Sequence, residues 1–275
     1  MPNKKKENPS LSDLVKRFSK FDVIAEMEKE YQASASKSLP LSLIDDNSCV
    51  KRCRLPRQTL ESLGNSIAKK GIFSPLLVRK KRSHYEVVLG RKRYFGAKAA
   101  HLSYVPVIIA DIGDEEMLLT LLADTRDSRQ SNILEMAYIY EALMSKFQYS
   151  PQTLAQLSHL SRSQVVNTVR LLNLPDPIIR EVSLGELSYG HARALLPLSQ
   201  ELIMEASKEI HARKLSVRET EDFVRYLSLD EKKVSSETEA TYQKSEKKLT
   251  LSFPSDHERD RFLSWLKKNK KVQEK

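Results

Sequence analysis

One short stretch of this sequence has the side chains needed to read a nucleic acid. Its polar and cationic residues are Ser161, Arg162, Ser163, Gln164, Asn167, Thr168 and Arg170. Hydroxyl, amide and guanidinium groups of this kind donate hydrogen bonds to base edges in the major groove and to phosphate oxygens. The solvated face of an ordinary amphipathic helix has the same composition, so both interpretations stay open for the stretch taken alone.

The sequence of residues 150–175 predicts two short helices joined by a tight turn. Ser150, followed by proline, suits the start of the first helix, and the helical pattern breaks near His159. The second helix is expected to begin at Ser161, because Ser161 and Gln164 have the spacing of a capping box. This arrangement is typical of a helix-turn-helix, whose second helix lies in the major groove of DNA.

The second helix has an apolar face that fixes the direction of its polar one. Val165, Val169 and Leu172 are spaced i, i+4, i+7 and therefore share one side. Ser163, Gln164, Asn167 and Arg170 project broadly the other way. The pattern predicts that the polar set is available to a partner.

Composition limits the class of protein. The chain has 275 residues with 46 Lys and Arg against 36 Asp and Glu, a net charge of +10. This charge favours a polyanionic partner, although many basic proteins bind none. Cys49 and Cys53 have no second cysteine pair to complete a zinc site, so we expect reduced thiols. No apolar run reaches membrane-spanning length, and a cytoplasmic protein without membrane contact is expected.

Residues 38–125 predict a small α+β domain. Its predicted elements are strands at 39–44, 75–79, 85–89 and 105–109, a helix ending at Gly71 and a helix from Arg93 to His101. Gly90-Arg91-Lys92-Arg93 lies where a strand turns into a helix. Because cations there oppose the helix dipole unless an anion is bound, we predict a phosphate-binding role; a solvated charged turn is the alternative.

Residues 126–227 predict a helical domain containing the helix-turn-helix. Helices at 115–122 and 132–147 flank the polar segment 123–130. That segment could contribute to a nucleotide or metal site, and a surface loop is the simpler interpretation of it alone.

The two ends of the chain differ from these domains. Residues 1–37 are expected to be a flexible arm, with an apolar stripe at Leu11, Leu14, Val15, Phe18, Phe21, Ile24 and Met27 that either packs on the body or docks on a partner. Residues 228–246 predict a flexible linker. Residues 247–275 predict a strand and a helix with a basic tail; because so short a segment cannot bury a core, we infer a dimerisation module.

The ordered set of motifs in residues 39–200 resembles the ParB (ParB/Noc-like) family of chromosome-partitioning proteins. The matching segments are Asn47–Arg52 at its ends, Gly71–Arg79, Tyr85–Gly90, Ser161–Pro175 and Gly190–Leu196. The chain length and short arm resemble compact chromosomal members such as the chlamydial type. The resemblance implies a ParB/sulfiredoxin-like α+β domain, a helix-turn-helix domain and a C-terminal dimerisation module.

The resemblance also implies a function and its ligands. Family dimers bind a palindromic double-stranded site called parS, load there and slide as clamps on the nucleoid under the control of CTP and Mg²⁺. The arm engages a ParA-type ATPase. Carried over position by position, the nucleotide-binding residues are Arg52, Gly71, Ile72, Ser74, Gly90, Arg91, Lys92, Arg93, Asp124 and Thr125, with Asp124 also expected at the metal.

Two segments depart from the family motifs. The family's Gly-Glu-Arg-Arg is Gly90-Arg91-Lys92-Arg93 here, so a cation replaces the acid. The family's Glu-Asn-x-x-Arg falls on Asp124–Ser128, where Arg126 or Arg129 could substitute for the missing arginine. We therefore expect at most a slow CTPase switch, with no catalytic residue. A ParB-like transcription regulator that binds isolated operators without spreading is the alternative function.

Overall fold

The computed structural model describes residues 11–18, 23–24, 36–128, 132–236, 242–245 and 248–251. The chain divides into two compact units, Met1–Glu221 and Asp222–Lys275. The predicted dimerisation helix at 255–269 lies outside the described residues, as do residues 1–10 of the arm.

The first unit begins with a short helix and continues into a mixed sheet with helices. Its elements are α1 (Leu11–Phe18), β1 (Lys37–Pro40), β2 (Ile44–Asp45), α2 (Arg57–Lys70), β3 (Leu76–Lys81), β4 (His84–Leu89), α3 (Arg91–Ala99) and β5 (Tyr104–Ala110). The strand order is β1-β5-β3-β4-β2. The β1/β5 and β3/β4 pairs are antiparallel, whereas β3/β5 and β2/β4 are parallel. The predicted α+β class is confirmed.

Close packing of α2 against α3 depends on two glycines. A Cβ on Gly64 would lie 2.9 Å from Ala99 Cβ, and one on Gly96 would lie 2.6 Å from Ile67 Cδ1. The contact with Ala99 cannot be relieved by a side-chain movement, so a larger residue at Gly64 would push the helices apart. A larger residue at Gly96 would first displace the end of the Ile67 side chain. Helix α3 begins two positions earlier than predicted, because Gly90 adopts a left-handed conformation (φ 90°) directly before it.

The rest of the first unit is helical. The helices are α4 (Asp114–Asp127), α5 (Ile133–Phe147), α6 (Pro151–Ser158), α7 (Arg162–Arg170), α8 (Asp176–Leu184), α9 (Tyr189–Leu195), α10 (Gln200–Arg213) and the start of α11 (Val217–Ser236). Helix α4 runs past residue 122, so the interpretation of 123–127 as a loop was wrong. Ala123 and Thr125 are buried with the apolar residues of this helix, and this packing extends it.

Part of the N-terminal segment packs on the helical body. Phe18 and Val23 are 2% and 1% exposed and belong to the core cluster that α4, α5 and α6 build. Arg126 Nη1 donates to the carbonyl oxygens of Phe18 and Leu157, each at 2.9 Å. Of the two alternatives for the apolar stripe, the structure supports packing on the body at Phe18, and at Val15 and Ile24, which are partly buried against the same cluster.

The second unit contains the end of α11 and a hairpin of β6 (Tyr242–Ser245) and β7 (Lys248–Leu251), paired antiparallel. The prediction of a flexible linker at residues 228–246 was wrong in part. Helix α11 extends to Ser236, and β6 occupies residues 242–245 of the same segment. Lys and Glu are good helix formers, so low hydrophobicity alone did not end the helix. Among the described residues, every helix is too short or too polar to span a bilayer.

Candidate DNA interface and nucleotide site

Local hydrogen bonds at both helix starts build the helix-turn-helix. Ser150 Oγ accepts from the backbone N–H of Thr153 at 3.0 Å at the start of α6. His159 ends α6 in a left-handed conformation with φ 55°. Both halves of the capping box are present at α7: the Ser161 N–H donates to Gln164 Oε1 at 2.8 Å, and the Gln164 N–H donates to Ser161 Oγ at 3.2 Å. The predicted turn and cap are confirmed.

The outer face of α7 carries most of the predicted DNA-binding residues. Arg162, Ser163, Gln164 and Arg170 are exposed, Asn167 is half-buried, and Val165 is fully buried. Ser161 is also exposed, but its hydroxyl is used by the cap. The outer face therefore presents two guanidinium groups and the Asn167 amide. The Gln164 amide is shared with the cap, and the Ser163 hydroxyl bonds Ser161 Oγ at 3.0 Å.

Thr168 is the exception among the predicted DNA contacts. Its side chain is 2% exposed, because it lies three residues after Val165 and shares the inner face of α7. The prediction that Thr168 contacts DNA was wrong for this reason. The threonine supports the helix from behind.

The loop at 71–75 and the start of α3 are brought together by Arg93. Arg93 Nη1 donates to the carbonyl oxygens of Ser74 and Pro75 at 2.6 and 2.7 Å. Gly71 (φ 72°) and Gly90 (φ 90°) both have left-handed backbone, which suits glycine at sharp turns. Of the predicted group, Gly90, Lys92 and Arg93 lie at the N-terminus of α3, where backbone N–H groups attract anions, and Arg93 joins Ser74 to it. Gly71 and Ile72 precede Ser74 in the same loop, and their contact with a nucleotide stays a prediction.

Arg91 has partners that the sequence did not reveal. Its Nε and Nη2 donate to Asp46 Oδ1 and Oδ2 at 2.7 and 2.9 Å, and its Nη1 donates to Glu135 Oε1 at 2.6 Å. Nη2 also donates to the Cys53 carbonyl oxygen at 2.7 Å. The guanidinium is bound by carboxylates in this structure, so Arg91 holds a supporting position here, and a phosphate would have to compete with Asp46 and Glu135 for it.

The charges in this cluster shift one another's pKa values. Burial raises the pKa of Glu135, although the charge of Arg91 opposes the shift. Burial by itself would lower the pKa of Arg91, but its hydrogen bonds to Asp46 and the carboxylate charges raise it. The cluster therefore holds a charged arginine between two acids in a half-buried site.

The remaining predicted nucleotide residues lie on other elements. Thr125 is 6% exposed, and its Oγ1 donates to the Leu121 carbonyl oxygen at 2.7 Å within α4. Because the hydroxyl is buried and already bonded, the prediction that Thr125 contacts the nucleotide was wrong. Asp124 is exposed on the same helix. Arg52 is exposed, and its Nη2 lies 3.9 Å from Asp176 Oδ1. Arg126 supports α1 and α6 as described above, and Arg129 lies outside the described residues.

The acidic residues give little support to a protein-built magnesium site. Among the described residues, no group of three or more His, Cys, Asp or Glu side chains is arranged to hold a metal. Asp124 supplies one carboxylate, whereas Mg²⁺ in proteins is usually held by one or two carboxylates together with substrate phosphates. One exposed carboxylate is compatible with a metal that substrate phosphates also hold, so Asp124 as a magnesium ligand stays a prediction.

Comparison with known proteins gives two family matches and several relatives. The ParB N-terminal domain matches residues 25–125, and the ParB HTH domain matches residues 129–228. The chromosome-partitioning protein Spo0J of Thermus thermophilus is 37% identical over 183 residues, covering 66% of this chain and 68% of the relative. The chain belongs to the ParB family of chromosome-partitioning proteins. A probable ParB of Pseudomonas putida is 32% identical over 218 residues, covering 79% of this chain and 72% of the relative.

Other ParB proteins match over a smaller share of their own length. ParB of Caulobacter vibrioides is 35% identical over 197 residues, covering 70% of this chain, and the chain spans 64% of that relative. A truncated Caulobacter crescentus ParB complexed to the centromeric parS site is 33% identical, with a TM-score of 0.41, and the match covers 70% of this chain and all of that one. The same protein complexed with CTP-γ-S matches 62% of this chain and 98% of that one, with 33% identity and a TM-score of 0.32.

Proposed function

We propose that this protein is a sequence-specific, double-stranded DNA-binding protein that partitions chromosomes. Its target is a palindrome of the parS type, read by α7. The observation that carries this proposal is the capping box of α7, which fixes a helix with exposed Arg162, Ser163, Gln164 and Arg170 in a family of DNA-segregation proteins. Support from behind by buried Val165 and Thr168 keeps that face rigid.

A nucleotide-gated step is the second part of the proposal. The N-terminus of α3, with Gly90, Lys92 and Arg93, is proposed to receive the phosphates of CTP, and the loop at 71–75 is proposed to lie beside them. Backbone N–H groups and cations at a helix start are a suitable anion site. Mg²⁺ would accompany the phosphates rather than be held by a protein cage, and hydrolysis would be slow at most.

Assembly and partners complete the proposal. Residues 247–275 are proposed to pair two copies, since a palindrome is matched by a two-fold symmetric dimer. The arm in residues 1–37 is proposed to present a contact for a ParA-type ATPase, and the protein would reside on the nucleoid.

The experiment that tests the proposal follows the purified full-length chain on a parS-bearing duplex with both ends blocked. Accumulation beyond one dimer per site with CTP and Mg²⁺, but not without them, is expected for a sliding clamp. Accumulation that CTP does not change would contradict the gated part. In that case the alternative, a regulator that binds isolated operators, would be favoured. The hydrogen bonds of Arg91 to Asp46 and Glu135 are consistent with this alternative, because they occupy a cation of the predicted phosphate site.

A further inference from the structure

Arg91 connects three segments that are far apart in the sequence. Its guanidinium bonds Asp46 after β2, the Cys53 carbonyl in the following loop and Glu135 in the first turn of α5. The side chains of Arg91, Asp46 and Glu135 are 11%, 18% and 22% exposed. We call these three residues the Arg91 cluster.

Residues beside the Arg91 cluster continue the connection in two directions. Toward the sheet, Asn47 Nδ2 donates to the Val87 carbonyl oxygen at 2.9 Å. Toward the helices, the Arg54 N–H donates to Ser183 Oγ in α8 at 2.7 Å, and Asn132 Nδ2 donates to the Ser183 carbonyl oxygen at 3.1 Å. The cluster therefore lies at the junction between the sheet and the helices that follow the recognition helix.

The charges of the cluster make this junction sensitive to an anion. The first turn of α3 contains Arg91, Lys92 and Arg93 and no acid. An anion at this N-terminus would attract the guanidinium of Arg91 and repel the carboxylates of Asp46 and Glu135. Charges a few ångströms apart in a partly buried site interact strongly, so the anion and the carboxylates compete for Arg91.

We propose that Arg91 is a positioning residue that couples the phosphate-binding end of α3 to the helical DNA-binding domain through Glu135. With the site empty, Arg91 ties α5 to α3 and to the loop at 46–53. A bound polyphosphate weakens the Arg91–Glu135 contact and loosens this junction. The proposal rests on the nucleotide site proposed above and identifies how occupancy of that site reaches the helices.

The test uses Glu135→Gln in the full-length chain, which removes a negative charge but keeps the shape of the side chain. Asp46→Asn is a second variant of the same kind. The matched control is Glu61→Gln, because Glu61 pairs with Arg57 at 2.8 Å on the exposed face of α2. Affinity for CTP is measured by calorimetry, and affinity for a parS duplex is measured across a CTP titration.

Coupling predicts that Glu135→Gln binds CTP at least threefold more tightly than wild type, because one competitor for Arg91 is gone. The CTP concentration that gives half of the change in DNA affinity should fall by the same factor, and DNA affinity without CTP should stay within twofold. General destabilisation would weaken CTP binding, so the direction of the change separates the two explanations. The control is expected to match wild type.

Different failures have different meanings. CTP binding in both cluster variants equal to that of Glu61→Gln would overturn the coupling and leave the proposed function intact. If wild type binds no CTP, the same titration uses inorganic tripolyphosphate. Tighter binding of tripolyphosphate by Glu135→Gln would then support the coupling while the CTP proposal fails, and its absence would overturn both.

Discussion

At the scale of single residues, Glu86 is a buried carboxylate in the sheet that is held by cations and hydrogen bonds. Its side chain is 1% exposed and accepts hydrogen bonds from Arg79, Lys81 and the Ser48 N–H. Burial would raise the pKa of Glu86, but these hydrogen bonds outweigh it and lower the pKa from 4.5 to about 2. The carboxylate is therefore expected to stabilise the fold only while it is ionised.

The pH dependence of stability follows from this shift. Because the pKa of Glu86 is lower in the folded than in the unfolded state, its stabilisation is complete above about pH 4.5 and is lost as pH falls toward 2. A shift of this size corresponds to roughly 3 kcal/mol. Urea unfolding of Glu86→Gln should show a flatter dependence on pH across this window than unfolding of wild type. An unchanged slope would contradict the assignment, with Glu61→Gln as the control.

Arg170 and Asn167 test base reading at the same scale. If each reads a base, Arg170→Ala or Asn167→Ala should weaken binding to a parS palindrome by about 1–3 kcal/mol while binding to a scrambled duplex changes little. Fluorescence anisotropy measures both affinities, and Arg213→Ala on α10 is the control. A uniform loss on both duplexes would assign the residue to phosphate instead.

At the scale of elements, the capping box gives a prediction with an internal control. Ser161 caps α7 with its side chain, whereas Ser199 precedes α10 without a side-chain cap hydrogen bond. Ser161→Ala should lower the free energy of unfolding by about 1 kcal/mol, and Ser199→Ala should change it less. Chemical denaturation measures the free energy of unfolding of both variants. Equal losses of stability would show that the side-chain cap of Ser161 does not stabilise the protein.

Local signals explain which elements could be predicted from the sequence. The cap at Ser161, the break at His159 and the strands of the α+β domain depend on residues close together in the chain, and the structure confirms them. The extension of α4 through Asp127 was missed because a polar stretch can continue a helix whose inner face is buried. Periodicity therefore located the elements better than their ends.

The Arg91 cluster shows what sequence could not provide. Arg91 is 45 and 44 positions from its partners Asp46 and Glu135, so neither pattern nor spacing connects them. The sequence correctly marked residues 90–93 as an unusual set of cations at a helix start. Only the fold showed that one of these cations faces carboxylates, and the same applies to the burial of Thr125 and Thr168.

At the scale of the whole molecule, dimerisation is proposed to depend on the C-terminal segment. Helix α11 ends at Ser236, so truncation after this residue leaves α11 intact. The truncation removes the β6/β7 hairpin and the predicted C-terminal helix with its basic tail. Sedimentation analysis should give a monomer for the truncated chain and a dimer for the full chain. A dimer after truncation would refute the C-terminal module.

The central claim is specific recognition of double-stranded DNA. The most direct measurement compares the affinity of the full-length chain for the parS palindrome of the Caulobacter relative with its affinity for a scrambled duplex of equal length, at physiological salt. Specific DNA-binding proteins typically favour their site by about 10³-fold or more. We predict a ratio of at least this order, with the Kd for the scrambled duplex rising steeply with salt. Equal affinities for the two duplexes would contradict the account.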